Sequence, residues 1–132
     1  MPWASSCHYK MQKNEPFIIN RLKSVRYAFK GMLILVRTES SIKIQVFIAI
    51  VVTIAGFVFD ISHTEWMIQI AMIGLVMSIE GINTAIEYLA DFVHPQHNEK
   101  IGLIKDVAAG AVFIASIVAV VIAGIIYLPK FL

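Results

Sequence analysis

From Phe17 onward the apolar residues Ile18, Leu22, Val25, Phe29, Met32, Leu33 and Val36 recur at i, i+4, i+7, i+11, i+14, i+15 and i+18, the period of an α-helix. Pro16 suits the first turn of such a helix. Arg21, Lys23, Arg26, Lys30 and Arg37 are interleaved with the stripe. Residues 17–38 are therefore expected to form a basic amphipathic helix that lies in a membrane interface beside anionic lipid. Residues 1–15 show no apolar period and are expected to be a mobile tail, which leaves 16–132 as one membrane domain.

Beyond residue 41 the pattern changes from a stripe to continuous apolar runs. "IQVFIAIVVTIAGFVF", residues 44–59, extends to about 42–61 if Lys43 snorkels to the interface. "DISHTE", residues 60–65, is a tight polar turn, and Trp66 opens a second run at a membrane interface, where its ring is favoured. That run continues to about Leu89. After the polar connection "HPQHNEKIG" a third run occupies about 105–128, uncharged from Val107 to Leu128, with Tyr127, Pro129 and Lys130 marking its exit. Runs of this length approach the ~20 residues that cross a bilayer core. The fold class expected is all-α: a surface helix and three transmembrane helices.

Composition agrees. The chain is 58% hydrophobic and only 15% charged, with a mean hydropathy of +0.77, whereas a soluble domain carries about 25% charged residues. One cysteine, Cys7, excludes an internal disulfide or a cysteine metal site. No secretory signal pattern precedes the first apolar run. Eight of the eleven Lys and Arg residues lie in the first 43 positions, and the turn at 60–65 has none. The positive-inside rule then puts the N-terminal region in the cytoplasm and orders the spans in, out, in, out.

Under that order the second span descends toward the cytoplasm carrying Glu80, Asn83, Glu87 and Asp91. At ~100° per residue Glu80, Glu87 and Asp91 fall within about 40° of one another, with Asn83 about 60° to the side of Glu80. Carboxylates facing lipid are costly, so this stripe must face a cavity or another helix and is a functional candidate. Glu39, before the first span, and Lys105 and Asp106, at the start of the third, reach the same depth. Carboxylates without a histidine partner suit Mg²⁺, which shares its ligands with nucleotide phosphates, and a lysine suits phosphate. Together these groups meet the needs of phosphoryl transfer, although neither a P-loop nor a protein-kinase glycine loop occurs. On the residues alone, a non-catalytic subunit of a cation-coupled transporter competes, with Glu80 and Glu87 as ion sites. Ala111, Ala115, Ala119 and Ala123, at four-residue spacing, form a small-residue stripe that favours close helix approach and association of copies.

"EGINTAIE" followed by "YLAD", with "KDVAAGAV" some eighteen residues on, resembles the bacterial integral-membrane diacylglycerol kinase and undecaprenol kinase family, whose hallmark is E-x-x-N-[ST]-A-I-E and then K-D-x-x-[AS]-[AG]-A-V. "YAFKG" at 27–31 and Glu39 twelve positions after Tyr27 extend the likeness over about residues 17–128. The resemblance implies a homotrimer in the bacterial inner membrane with active sites shared between chains. Its reaction would be MgATP-dependent phosphorylation of a lipid alcohol, diacylglycerol or undecaprenol, at the cytoplasmic face. Carried over by position, Glu80 would be the general base, Glu39 and Glu87 would hold Mg²⁺, Asn83 would position the reacting groups, and Lys105 with Asp106 would bind ATP. Asp91 and Tyr27 would support the nucleotide. No nucleic-acid partner is expected. Three positions depart from the family pattern: Asn20 replaces a common arginine, Asn98 stands where a histidine is usual, and Leu103 replaces an occasional basic residue.

Overall fold

The computed structural model describes residues 16–132, so the expected tail at 1–15 lies outside the described residues. Its helices are α1 (Phe17–Thr38), α2 (Ser40–Val58), α3 (His63–Val93) and α4 (Glu99–Phe131), with no strand among the described residues. The three later helices are long and apolar enough to cross a membrane. The all-α architecture expected from hydropathy is therefore observed. Two compact units make up the chain, one ending at Lys43 and one spanning Ile44–Leu132.

In the first unit α1 buries none of its residues. Phe17, Ile18, Leu22, Val25, Phe29 and Met32 are exposed along it, which is the surface a helix presents when hydrocarbon is its solvent. Arg21 lays its guanidinium 4.9 Å from the Phe17 ring centre, a cation–π contact that accommodates a charge inside the apolar stripe. Asn20, Ser24 and Tyr27 are half-buried. The Ser24 hydroxyl donates to the Asn20 carbonyl at 3.0 Å. Glu39 is the single residue between α1 and α2, and its extended backbone (φ −96°, ψ 117°) interrupts the helical path. Its N–H donates to the Leu35 carbonyl, and its own carbonyl accepts from Lys43, both at 3.1 Å.

In the second unit, helix caps set the boundaries more sharply than hydropathy does. Ser62 accepts from the Glu65 N–H while the Glu65 carboxylate accepts from the Ser62 N–H, a capping box that starts α3 at His63. The stretch read as a polar turn thus already contains the first turn of a helix. Asp60, with φ of 51°, makes the tight reversal before it. Asn98 caps α4 through its side-chain oxygen, which accepts from the Lys100 N–H at 2.8 Å. α4 consequently begins at Glu99, ahead of the expected Lys105, and α3 runs on past Leu89 to Val93.

The turn between α2 and α3 is closed by Trp66 over Gly56. A Cβ on Gly56 would come within 2.6 Å of the indole ring, so only glycine admits the approach. Phe57 stacks obliquely on the same ring, centroids 4.9 Å apart. Trp66, expected as an interfacial anchor, is half-buried in this corner.

α3 and α4 pack against each other. Along each helix one line of low-exposure residues steps alternately by four and three: Gln69, Ile73, Val76, Glu80, Asn83, Glu87 and Ala90 on α3, with buried Thr84 beside it, and Ile101, Lys105, Ala108, Val112, Ala115, Ala119, Ile122 and Ile126 on α4. An average step of about 3.5 keeps a seam facing its partner, whereas a constant step of four rotates about 40° each time. For that reason the alanine stripe does not act as one face: Ala115 is buried and Ala119 and Ala123 are half-buried, but Ala111 is exposed and Ala108 takes its place inside.

Candidate functional site

Three of the four polar groups expected on the second span lie on the α3 seam itself. Glu80 is 8% exposed, Asn83 and Glu87 are half-buried, and Asp91 is exposed beside the seam at the end of α3. At 1.5 Å per residue Glu80 stands about 21 Å along the helix axis from Trp66, Glu87 about 32 Å and Asp91 about 38 Å. A hydrocarbon core is about 30 Å thick. Glu80 is thus separated from Trp66 by about two thirds of that thickness, and Glu87 and Asp91 by the whole of it or more.

Three cross-helix contacts fix the antiparallel register. Lys105 Nζ donates to Asp91 Oδ1 at 2.5 Å, Tyr127 Oη donates to Gln69 Oε1 at 2.5 Å, and Lys130 Nζ lies 3.5 Å from Glu65 Oε1. Counting inward from these contacts sets Glu87 level with Ala108 and Ala109, and Glu80 level with Ala115 and Ser116. Small side chains on α4 therefore stand opposite both carboxylates.

Among the described residues, neither the Glu80 nor the Glu87 carboxylate has an ion pair or a side-chain hydrogen bond. Thr84 donates to the Glu80 carbonyl, not to its carboxylate. Beside them Asn83 Oδ1 is buried without a hydrogen-bond partner. Burying such groups unpaired is unfavourable, which makes this stretch of the seam the candidate site. Lys105 is held by Asp91, and Asp106 next to it is exposed. Tyr27 and Glu39 belong to the first unit, Tyr27 on the half-buried side of α1 and Glu39 at the α1–α2 junction.

No three His, Cys, Asp or Glu side chains among the described residues gather closely enough to hold a metal by themselves. Magnesium does not require such a cage: it keeps water and binds through one or two carboxylates plus substrate phosphates. Glu87, half-buried and without an ion pair among the described residues, fits that donor set.

An apolar cleft of about 220 Å³ opens between α2, α3 and α4. Met77 and Ser116 line it near the level of Glu80, and Val52, Gln69 and Ile126 line it farther along. At that far end Gln69 Nε2 donates to the Val52 carbonyl at 3.1 Å, and Tyr127 Oη approaches the same carbonyl at 3.2 Å. This clasp is not apparent from the sequence, in which Tyr127 marks only the exit of the third run. The available signal was Gln69, a lone amide in an apolar run, on the same four-and-three spacing as Val76, Glu80 and Glu87.

The family model described as prokaryotic diacylglycerol kinase matches residues 26–127. An undecaprenol kinase of Bacillus subtilis is 37% identical over 92% of this chain and 97% of its own length. A diacylglycerol kinase of Synechocystis is 36% identical over 86% of this chain and 65% of its own. The diacylglycerol kinase of Escherichia coli K12 is 27% identical over 84% and 91%. With a membrane-helix architecture and a seam of unpaired carboxylates already in place, these matches show that the chain belongs to the prokaryotic diacylglycerol kinase family, a family of kinases that act on lipid alcohols.

Proposed function

We propose that the protein transfers the γ-phosphoryl group of ATP to the hydroxyl of a membrane lipid, diacylglycerol or undecaprenol, at the cytoplasmic face of the bacterial inner membrane. One observation carries the reading: Glu80 is a buried carboxylate on an apolar, membrane-spanning helix, with no partner among the described residues. A base in that position takes the proton of a lipid hydroxyl as its oxygen attacks the γ-phosphorus and ADP leaves. Asn83 positions the reacting groups. Lys105 and Asp106 bind the nucleotide, with Tyr27 and Asp91 in support. Glu87, with Glu39 as the second carboxylate that the resemblance supplies, holds magnesium, which neutralises charge on the transferring phosphates when bound. The apolar cleft, whose Met77 and Ser116 end is near the level of Glu80, offers surface for a hydrocarbon chain. Relatives of nearly equal identity bear both lipid names, so the acceptor is defined here by its chemistry, an alcohol on an apolar tail. The family's homotrimer, with active groups shared between copies, completes the proposal.

The test offers purified protein both lipids with labelled ATP and Mg²⁺ in one assay. Label is expected in lipid, and the Glu80→Gln protein should bind ATP yet turn over at least about 100-fold more slowly. A Glu80→Gln rate within about threefold of wild type, under ~0.7 kcal/mol, would remove the base assignment. Ion flux without ATP consumption would overturn the kinase reading.

A further inference from the structure

We infer that Asp91 is a positioning residue: it holds the Lys105 ammonium at the end of the α3–α4 seam, one helical turn from Glu87, so that Glu87 keeps its charge for the divalent cation. The inference rests on the reading of Glu87 as a metal ligand.

Asp91 follows Glu87 at i+4, about 6 Å farther along the axis on nearly the same face. Lys105 occupies the inward stripe of α4. Its four-carbon stem can swing along the seam, and two carboxylates of α3 compete for its charge. It bonds Asp91 at 2.5 Å, and no ion pair forms at Glu87.

Solvation explains the choice. Asp91 has a side chain 59% exposed and Lys105 one 36% exposed, so their pair forms without removing either charge wholly from water, whereas a pair at half-buried Glu87 would draw the ammonium deeper. The ammonium has three donors and spends one on Asp91, which leaves two for phosphate. Without Asp91, Glu87 becomes the nearest carboxylate to Lys105 along α3. A Lys105–Glu87 pair would neutralise the metal ligand and withdraw the phosphate donor together.

The experiment reads Mn²⁺ binding by electron paramagnetic resonance, with a non-hydrolysable ATP analogue and the full chain in phosphatidylcholine vesicles. Asp91→Asn should weaken Mn²⁺ binding about three- to fivefold, the scale of an exposed ion pair, and Asp91→Glu should restore it to within about twofold. In a Lys105→Met background Asp91→Asn should have no further effect, because no ammonium remains to compete. Wild-type Mn²⁺ affinity in Asp91→Asn, or the same loss with and without Lys105, overturns the inference. Glu87→Gln separates the two readings: if it binds Mn²⁺ like wild type, the metal assignment beneath the inference fails, and if it binds weakly while Asp91→Asn does not, only the positioning role fails. Asp91 is exposed at a helix end, and an unchanged thermal transition in Asp91→Asn confirms that the variant is folded.

Discussion

Gln69 and Tyr127 meet across α3 and α4 through a 2.5 Å hydrogen bond, at the opposite end of the helix pair from Asp91 and Lys105. Both also bond the Val52 carbonyl of α2. Side chains from two helices thereby hold the backbone of a third, beside a cleft that is otherwise apolar.

Tyr127→Phe removes the hydroxyl and leaves Gln69 Oε1 without its donor. Hydrogen bonds between membrane helices contribute about 0.6–1.7 kcal/mol, and a loss in that range is expected in reversible unfolding from detergent micelles. Gln69→Leu leaves Tyr127 bonded to Val52 and should cost no more. The double variant should lose less than the two single losses added.

Gly56→Ala drives a methyl group to 2.6 Å from the Trp66 ring. A rigid indole cannot yield as a flexible chain would, so a destabilisation of about 1–3 kcal/mol is expected. Trp66→Leu in the same chain should recover most of the difference, and thermal unfolding of the three variants measures it.

Asn98, at a position where the family resemblance leads to the expectation of a histidine, caps α4 at 2.8 Å. Asn98→Ala should cost about 1 kcal/mol and Asn98→Asp almost nothing. Hydrogen exchange of the first-turn amides of α4 reads the difference directly. Asn98→His is expected to lose this cap, so any gain in turnover it brings would have to exceed the disorder it introduces near Lys105.

Glu87→Gln keeps the volume of the side chain and removes its charge. Turnover should fall at least about 100-fold, the scale of losing one preorganised electrostatic partner in phosphoryl transfer. Removing Mg²⁺ from the wild type with a chelator should abolish transfer, and adding the ion back should restore it. A Glu87→Gln protein as active as wild type at the same Mg²⁺ concentration would exclude Glu87 as a ligand.

How much of this was legible before folding differs from residue to residue. The amphipathic helix at 17–38 and the polar stripe of Glu80, Asn83 and Glu87 could be read because periodicity within one helix is a local property of the chain. The start of α3 was also legible, since Ser62 and Glu65 spell a capping box, but hydropathy blurred it by treating polar residues as a turn. Ala111 shows the limit: equal spacing suggested one continuous face, and the seam passed instead through Ala108.

Local patterning accounts for the helices, their order and the face on which the carboxylates stand, because these follow from composition and from dihedral geometry within each segment. Packing between helices is what sets Glu80 and Glu87 level with small residues of α4, pairs Lys105 with Asp91, and lets Gln69 and Tyr127 clasp Val52. Register between helices depends on how side chains of particular size interlock over many turns. A shift of one residue rotates a position by about 100° and would exchange every one of these partners.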